Sequence, residues 1–131
     1  MRVILAALFA VGAVNVSVGG KIAWKKQPPR EKFVHVVLVW LRKDLSAQQI
    51  QSFESDMRAL GKIKSVKAMH IGKPAGTPRQ VVDNSYTYMM VFYFRNVQGH
   101  DAYQQDPIHK AFVETHKNKW TRLQIYDALL E

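Results

Sequence analysis

Apolar residues occupy nearly every position of residues 33–41, FVHVVLVWL, and β-branched side chains recur along the run. A continuous apolar segment of this type predicts a strand buried on both faces. The period then changes. Across residues 44–61, DLSAQQIQSFESDMRALG, the side chains of Ile50, Phe53, Met57 and Leu60 return every three or four positions, which places them on one face of a helix. Ser46 and Gln49 form an S-x-x-Q capping box at its start, and Gly61 suits the left-handed position just beyond its end. Residues 62–72, KIKSVKAMHIG, predict a second and more exposed strand, and residues 72–85, GKPAGTPRQVVDNS, a long loop. Residues 86–94, YTYMMVFYF, are again apolar at almost every position and predict a third strand. Asn96 can cap a helix running toward Gln105. Asp106 can cap the next, with Pro107 at its favoured first position. Residues 122–130, RLQIYDALL, close the chain as a fourth strand.

The resulting order, β-α-β-β-α-α-β, is a ferredoxin-like α+β pattern: a four-stranded antiparallel sheet with its helices on one face. A consequence follows from layer counting alone. The helices cover one face of the sheet, yet the first and third strands are apolar on both, and a monomer rarely leaves so large an apolar patch in water. A second copy packed sheet against sheet, a two-fold homodimer, is the economical cover.

Composition narrows the function classes. The 131 residues are 47% hydrophobic and 22% charged, the balance of one ordinary globular domain. There is no cysteine, which excludes disulfides, thiolate metal sites and cysteine nucleophiles. The net charge of +9 is concentrated: KIAWKKQPPREK, residues 21–32, holds five Lys/Arg against one Glu. Residues 33–131 hold 13 basic and 9 acidic residues without a clustered basic face, so no nucleic-acid partner is expected. Residues 1–19 have Arg2, an apolar run from Val3 to Val14 and Ser17-Val18-Gly19 as a small-x-small cleavage site. They predict a signal peptide, hence a secreted or periplasmic protein that meets a membrane only through that segment if it stays uncleaved. Residues 20–31 then form a basic, Pro-containing linker, and the domain occupies residues 32–131.

Several stretches, in this order, resemble the stress-responsive dimeric α+β barrel (Dabb) family: VHVVLVWL, GKPAGTPR, AYQQDPIHKAFV and IYD. The resemblance spans nearly all of residues 32–128 and implies the fold and the dimer reached above. It also implies a site. One member of known activity, the plant olivetolic acid cyclase, closes a linear polyketide by an aldol-type condensation, using a histidine base and a tyrosine between sheet and helices. By motif, that base falls on His109 and that tyrosine on Tyr103. A first-strand histidine falls on His35, and Tyr88 stands in place of a third-strand pocket histidine. Asp106 replaces a histidine common before the family's proline.

The residues themselves leave two roles open for His109. At the third position of its helix it feels the positive end of the macrodipole, which favours the neutral imidazole a base needs. A lone histidine there can equally bond a backbone carbonyl and lock the helix. His35 lies in an apolar row between Phe33 and Val37 and needs a polar partner. His35, His70, His100, His109 and His116 show no close ligand spacing, so no metal and no other cofactor is expected, and a metal would need ligands gathered by the fold. His100 and His116 read as solvent-facing. GKPAGT lacks the ending of a phosphate-binding loop. Two function classes therefore stand side by side. One is an exported barrel that binds, and as an enzyme converts, a small hydrophobic carbonyl or phenolic compound by His109–Tyr103 acid–base chemistry, with His35 and Tyr88 as binding residues. The other is a non-catalytic, stable homo-oligomer with a stress or structural role. Haem or quinone chemistry follows from fold analogy alone, and nothing in the chain singles out haem ligation.

Overall fold

The computed structural model describes residues 30–131. The leader expected over residues 1–19, and all of the linker but Arg30 and Glu31, lie outside the described residues. Four strands form one antiparallel sheet: β1 (Phe33–Leu41), β2 (Val66–Gly72), β3 (Tyr88–Phe94) and β4 (Trp120–Leu129), in the spatial order β2-β3-β1-β4. Helices α1 (Ala47–Ala59), α2 (Val97–Gln105) and α3 (Pro107–His116) complete the ferredoxin-like α+β architecture.

The helix ends follow their capping chemistry. Both halves of the Ser46–Gln49 capping box are made, Asn96 accepts from the Gly99 amide at 2.9 Å, and Asp106 accepts from the Ile108 amide at 2.8 Å. Pro107 is the first residue of α3, where its missing N–H costs nothing. Gly61 departs from its expected role. Helix α1 tightens into a 3₁₀ turn over Leu60–Lys62, and among the described residues only Gly76 has a positive φ. Gly61 serves close approach instead, since a Cβ there would stand 3.2 Å from Met69 Sδ. That turn delays β2 to Val66, four residues later than the pattern predicts.

Alternation along the two central strands divides the sheet. Phe33, His35, Val37 and Val39 of β1, with Tyr88, Met90, Phe92 and Phe94 of β3, are buried beneath the helices. Phe53, Met57 and Leu60 cover them from α1 and its turn, each almost inaccessible to solvent. Burying one such side chain stabilises the fold by about 1.5–3 kcal/mol. The opposite face carries Val34, Val36, Leu38, Met89, Val91 and Tyr93, all half-buried, and no helix of the described residues lies over them. Helix cover also thins toward the outer strand, where Leu123, Ile125 and Leu129 remain exposed. The loop between β2 and β3 is fastened at its base: Trp40 Nε1 donates to Ser85 Oγ at 2.9 Å and the Leu41 amide to Thr87 Oγ1 at 2.9 Å.

Candidate functional site

Where the helices part from the β1–β4 half of the sheet, a cavity of about 290 Å³ remains. His35, Val37 and Val39 rise from β1, Leu123 and Ile125 from β4, Tyr103 and Gln104 from the end of α2, and His109, Phe112 and Val113 from α3. The Asp106-Pro107 break places Tyr103 and His109 face to face across the corner, with ring centroids 4.5 Å apart. Among the described residues, no lysine, arginine, aspartate or glutamate lines the cavity. It is a mostly apolar chamber with a few polar groups, the usual form of a small-molecule site.

Each of those groups has a distinct state. Nδ1 of His109 is shielded from solvent and makes no hydrogen bond of good geometry, although the Gln104 backbone interacts with the ring. Burial lowers the affinity of this imidazole for a proton, and neighbouring His35 and His100 add to the effect; the Gln104 backbone and Asp106 act against it. Burial pushes the Tyr103 phenol well up, so it stays a hydrogen-bond donor. His35 has the polar partner its apolar row demands: Nδ1–H donates to Asp127 Oδ1 at 2.6 Å. His35 and Asp127 are direct partners in the β1–β4 register. Burial first, with His100 adding to it, holds the His35 pKa below its ordinary value despite the opposing pull of Asp127. The proton on Nδ1 leaves Nε2 as the unprotonated nitrogen.

Three of the four expected site residues, His109, Tyr103 and His35, thus meet at one cavity. Tyr88 does not. Its hydroxyl donates to Glu54, its ring stacks on Phe53 with centroids 6.0 Å apart, and it is absent from the cavity wall. Burial first, and then the Glu54 bond, push its phenol up to about 12. No residue of the β2–β3 loop lines the cavity either.

Two histidines expected at the surface are not there. His116 is fully buried, with Nε2–H donating to Asp56 Oδ2 and Lys119 Nζ donating to Nδ1, both at 2.8 Å. Its ring packs between Phe53 and Phe112. His100 is half-buried, stacked on Phe33 at 4.7 Å and tilted toward His35 at 4.8 Å. Asp127 and Gln104 escape a reading of the chain because only strand register and the α2–α3 corner bring them to the site. The local hint of Asp127 is its place at the end of the IYD stretch that carries the family resemblance.

The family model of the stress responsive A/B barrel domain, Dabb, matches residues 33–129. No curated protein matches significantly. Among solved structures, the hydroxynitrile lyase from Passiflora edulis is similar with a TM-score of 0.68 and 18% identity, over 79% of this chain and 96% of that one. A dimeric ferredoxin-like protein of unknown function from Thermobifida fusca has a TM-score of 0.63 and 18% identity, covering 76% and 92%. A Dabb family protein with a ferredoxin-like fold from Mesorhizobium loti has a TM-score of 0.62 and 17% identity, covering 74% and 94%. At such identities these likenesses speak to the fold, whereas the family model spans the whole sheet and all three helices. The chain belongs to the stress responsive A/B barrel domain family.

Proposed function

We propose that this protein binds a small, uncharged, hydrophobic carbonyl or phenolic compound in the cavity between sheet and helices, and moves a proton on it. The observation that carries this reading is the convergence of His109, Tyr103 and His35, from three different elements, on one mostly apolar chamber of about 290 Å³. In the proposed step, the His109 imidazole takes a proton from the carbon next to a carbonyl. The electron pair moves onto the carbonyl oxygen, which accepts a hydrogen bond from Tyr103. His35, held by Asp127, orients the oxygenated end of the ligand. The absence of charged lining residues favours a neutral ligand, since an anion here would lack a countercharge. The Passiflora edulis enzyme, a lyase by name, supports the capacity of this fold to house a reactive site.

On the same reading the apolar sheet face is covered by a second copy, as in the dimeric ferredoxin-like neighbours, and the leader-like residues 1–19 direct export. No described helix is long and apolar enough to cross a membrane. A thermal-shift screen of neutral aromatic, polyketide-like and quinone compounds against the wild type and His109→Ala tests the site. A compound at ten times its Kd raises stability by about 1.4 kcal/mol. A hit retained by the wild type and lost in the variant is the expected result. The absence of any hit, with a variant that only melts earlier, would return His109 to a packing role and leave the non-catalytic homo-oligomer standing.

A further inference from the structure

Histidines whose sequence spacing offers no metal site are gathered by the fold into one. His35 lies in the middle of β1, Asp127 stands opposite it on β4, and His100 reaches over both from α2. One donor atom from each residue can be chosen so that all three lie within 4.8 Å of one another. We propose that His35, His100 and Asp127 form a binding site for a divalent first-row transition metal such as Zn²⁺ or Co²⁺.

The donor set sets the class of ion. Two imidazoles and one carboxylate suit zinc, cobalt or nickel, whereas magnesium and calcium prefer all-oxygen shells. Zinc holds nitrogen and carboxylate oxygen at about 2.0–2.2 Å, so donors sharing an ion stand roughly 3–4 Å apart. His35 Nδ1 and Asp127 Oδ1 already stand 2.6 Å apart, so an ion between them requires Asp127, 42% exposed, to turn slightly outward. His35, by contrast, is buried and fixed in the sheet. His100 is held by its stack on Phe33, and ligation through its Nδ1 requires the Gln104 side-chain amide, which now donates to Nε2 at 3.2 Å, to turn its oxygen toward an Nε2–H. Three protein donors from three different elements leave coordination positions open, the arrangement of reactive rather than purely structural zinc sites.

This site shares His35 and its partner Asp127 with the function proposed above, but its test depends neither on His109 nor on a ligand in the cavity. The test is titration of the full chain with Co²⁺ at neutral pH, followed by visible absorption and by displacement with Zn²⁺. We expect one Co²⁺ per chain with the d–d bands of a nitrogen- and oxygen-ligated ion. Affinity should fall by at least about tenfold in both His100→Ala and Asp127→Asn. Paramagnetic broadening of the His35 and His100 ring resonances in the wild type gives a readout that needs no variant to fold. No saturable uptake, uptake unchanged in both variants, or broadening confined to other histidines would overturn the proposal.

Discussion

His109 and His116 belong to one helix, yet truncation should affect them in opposite ways. His116 has no exposed surface, packs on two phenylalanines and makes a hydrogen bond through each ring nitrogen. Deleting a packed ring of this size costs about 3–5 kcal/mol. Two hydrogen bonds, at about 0.5–1.5 kcal/mol each, are part of that loss. Asp56 is half-exposed and regains water, so no buried charge is left stranded and the cost should not exceed this range. In a domain near 100 residues each kcal/mol moves Tm by about 4–8 °C, so His116→Ala should melt at least about 12 °C lower. His109 is only half-buried and its Nδ1 makes no bond to lose. His109→Ala should stay within about 1 kcal/mol of the wild type, because the lost ring contacts are offset by removal of an unsatisfied nitrogen. Urea and thermal denaturation of the two variants, beside the ligand screen, measure the contrast. His116→Ala should keep its ligand at temperatures where it is folded, and His109→Ala should lose it. A His109→Ala cost equal to that of His116→Ala would refute the argument, since it would show a ring held for packing.

Other perturbations separate structure from site in the same way. Tyr88→Phe removes the hydroxyl bond to Glu54 and should cost about 0.5–1.5 kcal/mol by denaturation, while ligand affinity stays unchanged because Tyr88 is not in the wall. Tyr103→Phe keeps the buried ring and should move stability by less than about 1 kcal/mol, yet abolish turnover in any assay the screen yields. The His109 pKa lies below its ordinary value of 6.5, so the contribution of its neutral ring to stability is complete above 6.5 and lost as pH falls through the lowered value. Ligand binding should follow the same course, persisting at pH 6.5 and failing in more acidic buffer; an affinity already halved at pH 6.5 would contradict it. Val36→Asp, on the bared sheet face, should convert the proposed dimer to monomers in sedimentation velocity, whereas an unchanged dimer would move the interface elsewhere.

Element order was legible in the chain because local signals carry it. Ser46, Asn96 and Asp106 name the helix starts, and the two apolar runs name the central strands. Gly61 was misread because left-handed caps and close approach both select glycine, and only the position of Met69 separates them. His116 was misread because one helical turn gives no sign of what covers it. Phe53, 63 residues earlier, supplies the apolar wall, and Asp56 and Lys119 make burial of the imidazole tolerable.

The amino-acid pattern by itself therefore determined the layers, the helix ends and one apolar face too many for a monomer. Those are short-range consequences of periodicity and capping. Tertiary structure alone decided which polar groups meet. Strand register sets Asp127 against His35, the bend at Asp106-Pro107 turns Tyr103 toward His109, and α2 lays His100 over both strands. Tyr88 points to Glu54 rather than the cavity. Such meetings depend on contacts between residues far apart in sequence, and no local period encodes them.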